Sequence, residues 1–145
     1  MVAAPVPIHQ RGRAQDAGRV HVLVVDDYAD NVASMAMLLR LYGHAVDTAL
    51  SGRDAIQKAQ TQAPDVVLLD ISMPGMDGYS VAKQLRSLFR DRVRLIALTA
   101  YSSQQDHHRC LQAGFDVHLI KPADPEEVQR LVEQAADRLR RSQRG

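Results

Sequence analysis

The sequence predicts an α/β fold, a doubly wound parallel sheet with helices on both faces. Five short β-branched or leucine-rich runs alternate with longer stretches whose apolar residues recur at helical spacing, and such alternation implies parallel strands joined by right-handed crossovers. The runs at residues 22–25, 66–69 and 95–98 are apolar almost without interruption, as strands covered on both faces must be. The chain has 145 residues, 46% hydrophobic and 24% charged, which suits one ordinary domain with a tail and excludes wholesale disorder or a fibrous repeat.

Residues 1–18 read as a flexible leader, because Pro5, Pro7, Gly12 and Gly18 flank polar residues without any apolar period. The folded domain is expected over 19–140, with a short basic tail over 141–145. The strands are predicted at 20–25, 45–49, 65–69, 93–98 and 117–120. The first helix, about 30–42, carries Val32, Met35, Ala36 and Leu39 on one face, with Gly43 where a left-handed C-cap belongs. The second, about 52–63, carries Ala55, Ile56 and Ala59 and stops before Pro64. The third, about 79–89, follows Gly78 and carries Val81, Leu85 and Leu88. The fourth, about 103–113, has little beyond Cys110 and Leu111 to bury, which predicts the most mobile element. The last opens on Asp124-Pro125-Glu126-Glu127, an N-cap followed by proline at the first helical position. Its buried stripe is Val128, Leu131, Val132, Ala135 and Leu139.

Eighteen basic against seventeen acidic residues leave a net charge of +1, so no concentrated basic surface for nucleic acid is expected. The single cysteine, Cys110, has no partner for an intramolecular disulfide or a multi-cysteine zinc site, in keeping with a reducing, cytoplasmic setting. No apolar run is long enough for a signal sequence or a membrane span.

In a sheet of this kind the ligand site lies beyond the carboxyl ends of the strands. There the sequence places Asp26-Asp27, Asp70, Thr99 and Lys121-Pro122. Three carboxylates in one crevice repel one another unless a cation joins them, and hard oxygen ligands suit Mg²⁺ or Mn²⁺. Lys121 adds an ammonium and Thr99 a hydroxyl. Metal, ammonium and hydroxyl together describe a site that neutralises the oxygens of a transferring phosphoryl group. Asp26 and Asp27 are adjacent and suit holding the metal, whereas Asp70 stands alone at the central strand's tip and is the better nucleophile. Its attack on phosphorus would give an acyl phosphate. The loop that follows, residues 71–78, holds Pro74, Gly75 and Gly78, as a demanding turn would, and such a loop can offer a backbone carbonyl to the metal.

The Asp26-Asp27 pair, the VVLLDISMPGMDGY segment around Asp70, the LTA at Thr99 and the IKP at Lys121 resemble a response-regulator receiver domain, over roughly residues 20–139. The resemblance implies a CheY-like fold with strand order 2-1-3-4-5. It also implies Asp70 as phospho-acceptor, Mg²⁺ held by Asp26, Asp27, Asp70 and the Ser72 carbonyl, and Thr99 and Lys121 on the phosphoryl oxygens. The implied donor is a phosphohistidine on a histidine kinase or a histidine phosphotransfer protein, and the implied output is a protein partner contacting the face of the fourth helix, fifth strand and fifth helix. One position departs from the family: His118 stands where Tyr or Phe usually couples phosphorylation to that face. Ser72 and Tyr101 occupy positions that influence acyl-phosphate lifetime in the family, and a bulky Tyr101 predicts slow hydrolysis.

Plainer readings stand beside these. Asp26-Asp27 alone would be read as caps of the first helix, and Lys121 as a surface charge. His118 reads as a partly buried, hydrogen-bonded histidine, His107 and His108 as solvent-facing, Cys110 as a small core filler, and the arginines from Arg138 onward as a solvated helix end. Two rival functions are an aspartate-nucleophile phosphatase or phosphotransferase and a phosphorylation-independent interaction module. The first usually needs a second acid two residues after the nucleophile, where this chain has Ser72.

Overall fold

In a computed structural model, residues 20–72, 77–100 and 103–144 are described. Five parallel strands, β1 (His21–Val25), β2 (Ala45–Ala49), β3 (Val66–Asp70), β4 (Arg94–Thr99) and β5 (Val117–Ile120), form one sheet in the order β2-β1-β3-β4-β5. The helices are α1 (Ala29–Leu41), α2 (Gly52–Thr61), α3 (Gly78–Phe89), α4 (Gln104–Ala113) and α5 (Pro125–Arg144), with one 3₁₀ turn at Arg90–Arg92.

The period-2 alternation of the strands divides the core in two. Leu23, Val25, Val67, Leu69, Leu95 and Ala97 face α2, α3 and α4, whereas Val22, Val24, Val66, Leu68, Ile96 and Leu98 face α1 and α5. All five residues of β3 are buried, which is why its sequence shows no alternation of polarity.

Register fixes the functional edge. Val25 pairs with Leu69 and with Ala49, Asp70 with Leu98, and Thr99 with Ile120, so the ends of β1, β3 and β4 stand side by side. β1, β3 and β4 each begin one residue later than expected, and β3 and β4 also end one later. The Ile71 N–H still donates to the Leu98 carbonyl at 3.2 Å, so Asp70 and Thr99 belong to the ladder itself.

Other boundaries shift for local reasons. α1 starts at Ala29, and Gly43 takes the expected left-handed conformation behind it (φ 95°). α2 ends two residues short, at Thr61. On α3 the buried residues are Gly78, Val81, Ala82 and Leu85, and Leu88 is exposed. On α4 Cys110 and Ala113 are buried and Leu111 is half exposed, because the short helix turns its small side chains to the sheet. Asp124 Oδ1 accepts from the Glu126 N–H, as its place ahead of α5 predicts. α5 runs on through Arg144, so the expected basic tail continues the helix: no proline or glycine interrupts it before Gly145. The expected leader, residues 1–18, lies outside the described residues.

Candidate functional site

The site lies on the carboxyl edge of β1, β3 and β4 and the start of the loop after β5. Asp26 and Asp70 are buried (5% and 4% exposed), and Asp27 is open to solvent. Carboxylate oxygens of Asp26, Asp27 and Asp70 lie within 4.8 Å of one another. Such a set of hard oxygen ligands is capable of coordinating a divalent cation.

Backbone and side-chain donors fix the two buried acids. Asp26 Oδ1 accepts from the Tyr28 N–H at 3.0 Å and Oδ2 from Asn31 Nδ2 at 3.3 Å. The capping reading is thereby partly met: Asp26 does serve a backbone donor at the entrance of α1, while the N-cap residue itself is Tyr28, which makes no side-chain cap. Asp70 Oδ1 accepts from the Ser72 N–H at 2.9 Å, an Asx-type turn that sets the start of the following loop.

Lys121 closes the cluster. Its Nζ donates to Asp70 Oδ2 at 2.6 Å and stands 3.6 Å from Asp26 Oδ2. Partial burial pulls the lysine pKa down, but the hydrogen bond and charge of Asp70, with those of Asp26, outweigh it and hold the pKa above the ordinary lysine value. The Lys121 N–H donates to the Thr99 carbonyl at 2.7 Å, and the Lys121-Pro122 peptide is cis. Thr99 is fully buried at the end of β4, one residue beyond the partner of Asp70.

Asn31, which carries no signal in the sequence, and Gly78, expected there only as part of the turn after Asp70, shape this site. Asn31 steadies Asp26 from the first turn of α1. Gly78 packs against the loop after Asp70: a Cβ there would come within 2.4 Å of the Ile71 Cα and 3.1 Å of the Asp70 carbonyl oxygen. The glycine had been assigned to turn geometry, and what it provides is close approach of two backbones. Asn at the fifth position after an aspartate and glycine at a helix start are each too common to have signalled these contacts.

His118 on β5 is partly buried, and its Nδ1 lies 3.4 Å from Nδ1 of the exposed His107 on α4. The ring centres are 5.6 Å apart, so the nitrogens point at each other, edge to edge, as a hydrogen-bonded pair. His118 is therefore the hydrogen-bonded histidine expected. His107 is solvent-facing but also engaged, because β5 brings its neighbour under α4. Cys110 is buried as expected, beside Tyr79, whose pKa burial pushes up to about 12. Tyr101 lies outside the described residues.

The response regulator receiver domain family matches residues 22–133 of this chain. The chain belongs to the response-regulator receiver family. Among curated relatives of this receiver, the transcriptional regulatory protein PrrA of Mycobacterium leprae is 46% identical over 101 residues, 70% of this chain and 43% of that protein. The chain thus spans less than half the length of that relative. An uncharacterised 14.6 kDa protein of Leptolyngbya boryana is 34% identical over 121 residues, 83% of the receiver and 92% of that protein. Among solved structures, the receiver domain of the Francisella response regulator 1452 superimposes with a TM-score of 0.77 at 28% identity, covering 83% of this chain and 98% of that one. Among the described residues no helix is long and apolar enough to cross a membrane.

Proposed function

We propose that this receiver takes a phosphoryl group from a phosphohistidine onto Asp70 and thereby switches a protein-contact face. The observation that carries the reading is the Lys121 ammonium, 2.6 Å from Asp70 Oδ2, beside the Asp26-Asp27-Asp70 cluster at the sheet's carboxyl edge. In the transfer, an Asp70 carboxylate oxygen attacks phosphorus. The P–N bond to the donor imidazole breaks, a P–O bond forms, and the imidazole retains its electron pair and a proton. Lys121 is placed to move from the carboxylate to a phosphoryl oxygen as charge develops there, and the Thr99 hydroxyl is assigned to a second oxygen. Asp26, Asp27 and Asp70, with the Ser72 carbonyl, would hold Mg²⁺ or Mn²⁺. When bound, the ion neutralises charge on the phosphoryl group.

The donor is proposed to be a histidine kinase or a histidine phosphotransfer protein, and the readout a downstream protein. Ser72 argues for a switch over a turnover phosphatase, because it offers Asp70 an N–H and brings no second carboxyl to protonate a leaving group. The site residues are tested by labelling with acetyl phosphate in Mg²⁺. Wild-type protein should be labelled, and Asp70→Asn or excess EDTA should reduce labelling to background. Full labelling of Asp70→Asn would discard the acceptor assignment.

A further inference from the structure

The exposed large apolar side chains of the described residues are unevenly placed. Met37 (63% exposed), Leu41 (80%), Tyr42 and Leu50 gather along α1 and beside edge strand β2. A shallow groove runs there between α1 and β2, lined by Ala33, Met37, Arg40 and Leu41 on one side and Thr48 and Leu50 on the other. No element of the described chain covers it.

The pattern along α1 names an occupant. Ala29, Ala33, Met37 and Leu41 are all exposed and recur every four residues, two small then two large. When the helix is laid antiparallel on a copy of itself about its midpoint, Ala29 faces Leu41 and Ala33 faces Met37, so each large side chain meets a small one. The same register sets Asp30, in the first turn, opposite Arg40, in the last. At 100° per residue these six positions fall within an arc of about 120°, symmetric about one axis, as a two-fold contact requires. The charge pairing does not follow from the apolar stripe, and it is complementary at both ends of the contact. Arg40 is also held for it, since Nη2 donates to the Val46 carbonyl at 2.9 Å, leaving Nε and Nη1 for a partner.

We propose that α1 is a self-association face, in which two copies of this chain pair through antiparallel α1 helices in a two-fold dimer. The contact is one helix face wide, which places the dimer among weak, reversible interfaces.

The test is sedimentation equilibrium of the 145-residue chain from about 10 µM to about 1 mM, the range in which an interface of this size should associate. The weight-average mass should rise from the 16.1 kDa of the monomer toward twice that value. Leu41→Glu should weaken association at least about tenfold, as should Asp30→Arg and Arg40→Asp singly, while the Asp30→Arg/Arg40→Asp double variant should return to within about threefold of wild type. Circular dichroism of each variant confirms the fold, and Met37→Glu replaces any that fails to fold. A chain that stays monomeric at 1 mM overturns the proposal. Self-association that these substitutions leave unchanged does the same, and so does a double variant no better than the singles, as expected if the groove takes a different partner's helix.

Discussion

A methyl group on Gly78 would sit 2.4 Å from the Ile71 Cα, a backbone atom that cannot swing aside as a side chain could. Gly78→Ala should therefore push α3 and the loop after Asp70 apart, costing about 1–3 kcal/mol of stability by urea denaturation and slowing acetyl phosphate labelling of Asp70. Lys121 is the second residue whose removal should be costly. It is the cation between two buried carboxylates, and Lys121→Ala takes the counter-charge from both, leaving them only their neutral N–H donors. Because the side chain keeps partial solvent access, a loss of about 1–3 kcal/mol at neutral pH is expected, less than for a fully enclosed pair. Its pH dependence has a definite sign. A lysine pKa raised by folding stabilises the native state fully below its ordinary value of 10.5 and loses that contribution as pH climbs through the raised value. The stability gap between wild type and Lys121→Ala should be unaffected by lysine titration up to about pH 10 and narrow above it, as equilibrium denaturation across alkaline pH would show. A gap that closes well below pH 10 would contradict the ion pair with Asp70.

Among the elements, α3 and α4 share apolar packing, and one guanidinium on α3 adds a polar tie to the end of α4 and the chain that follows it. Arg86 on α3 donates from Nε to the Gly114 carbonyl at 3.1 Å, from Nη1 to the Val93 carbonyl at 2.9 Å and from Nη2 to Asp116 Oδ2 at 2.8 Å, and Asp116 in turn accepts from the Leu95 N–H. Gly114 ends α4 at φ 106°, and a Cβ there would press on the Arg86 side chain at 3.3 Å. Arg86→Ala should cost about 2–4 kcal/mol and speed amide exchange at the end of α4. Arg86→Lys should recover less than half of that, since an ammonium lacks the planar fork. The strands, the helices and the four strand-end motifs were legible in the sequence because each rests on local signals: continuous apolar runs, helical spacing, an Asp-Pro-Glu start. Arg86 was not, being one arginine among fifteen, and its partners lie as many as thirty residues away. The same holds for His44, whose Nδ1 accepts from the Val20 N–H and whose Nε2–H then donates to Gln129 Oε1, a buried link from the residue just before β1 to α5. Exposure of Leu88 and Leu111 was equally hidden, since helical spacing fixes a face but not its width.

For the molecule as a whole, the acidic cluster should make stability respond to metal. A ligand that binds only the folded chain adds RT ln(1 + [L]/Kd), about 1.4 kcal/mol at ten times Kd, which for a domain of this size is a rise in Tm of roughly 2–5 °C. Mg²⁺ should produce that rise in wild type by scanning calorimetry and little or none in Asp27→Asn, whose exposed side chain leaves the fold alone. An equal rise in both would remove Asp27 from the ligand set. The two-sided core explains why the scaffold tolerates so charged an edge: apolar packing above and below the sheet is complete without it. The least buried helix, α4, is the exception to that self-sufficiency, and the His107–His118 contact governs part of its attachment. Among the described residues His118 Nε2 is buried without a hydrogen-bond partner, so a hydrogen there would be stranded, and the favoured arrangement puts it on Nδ1, donated to His107. One exchangeable proton, held in a fixed direction, thus fastens the middle of α4 to β5, and each imidazole's choice of tautomer dictates the other's.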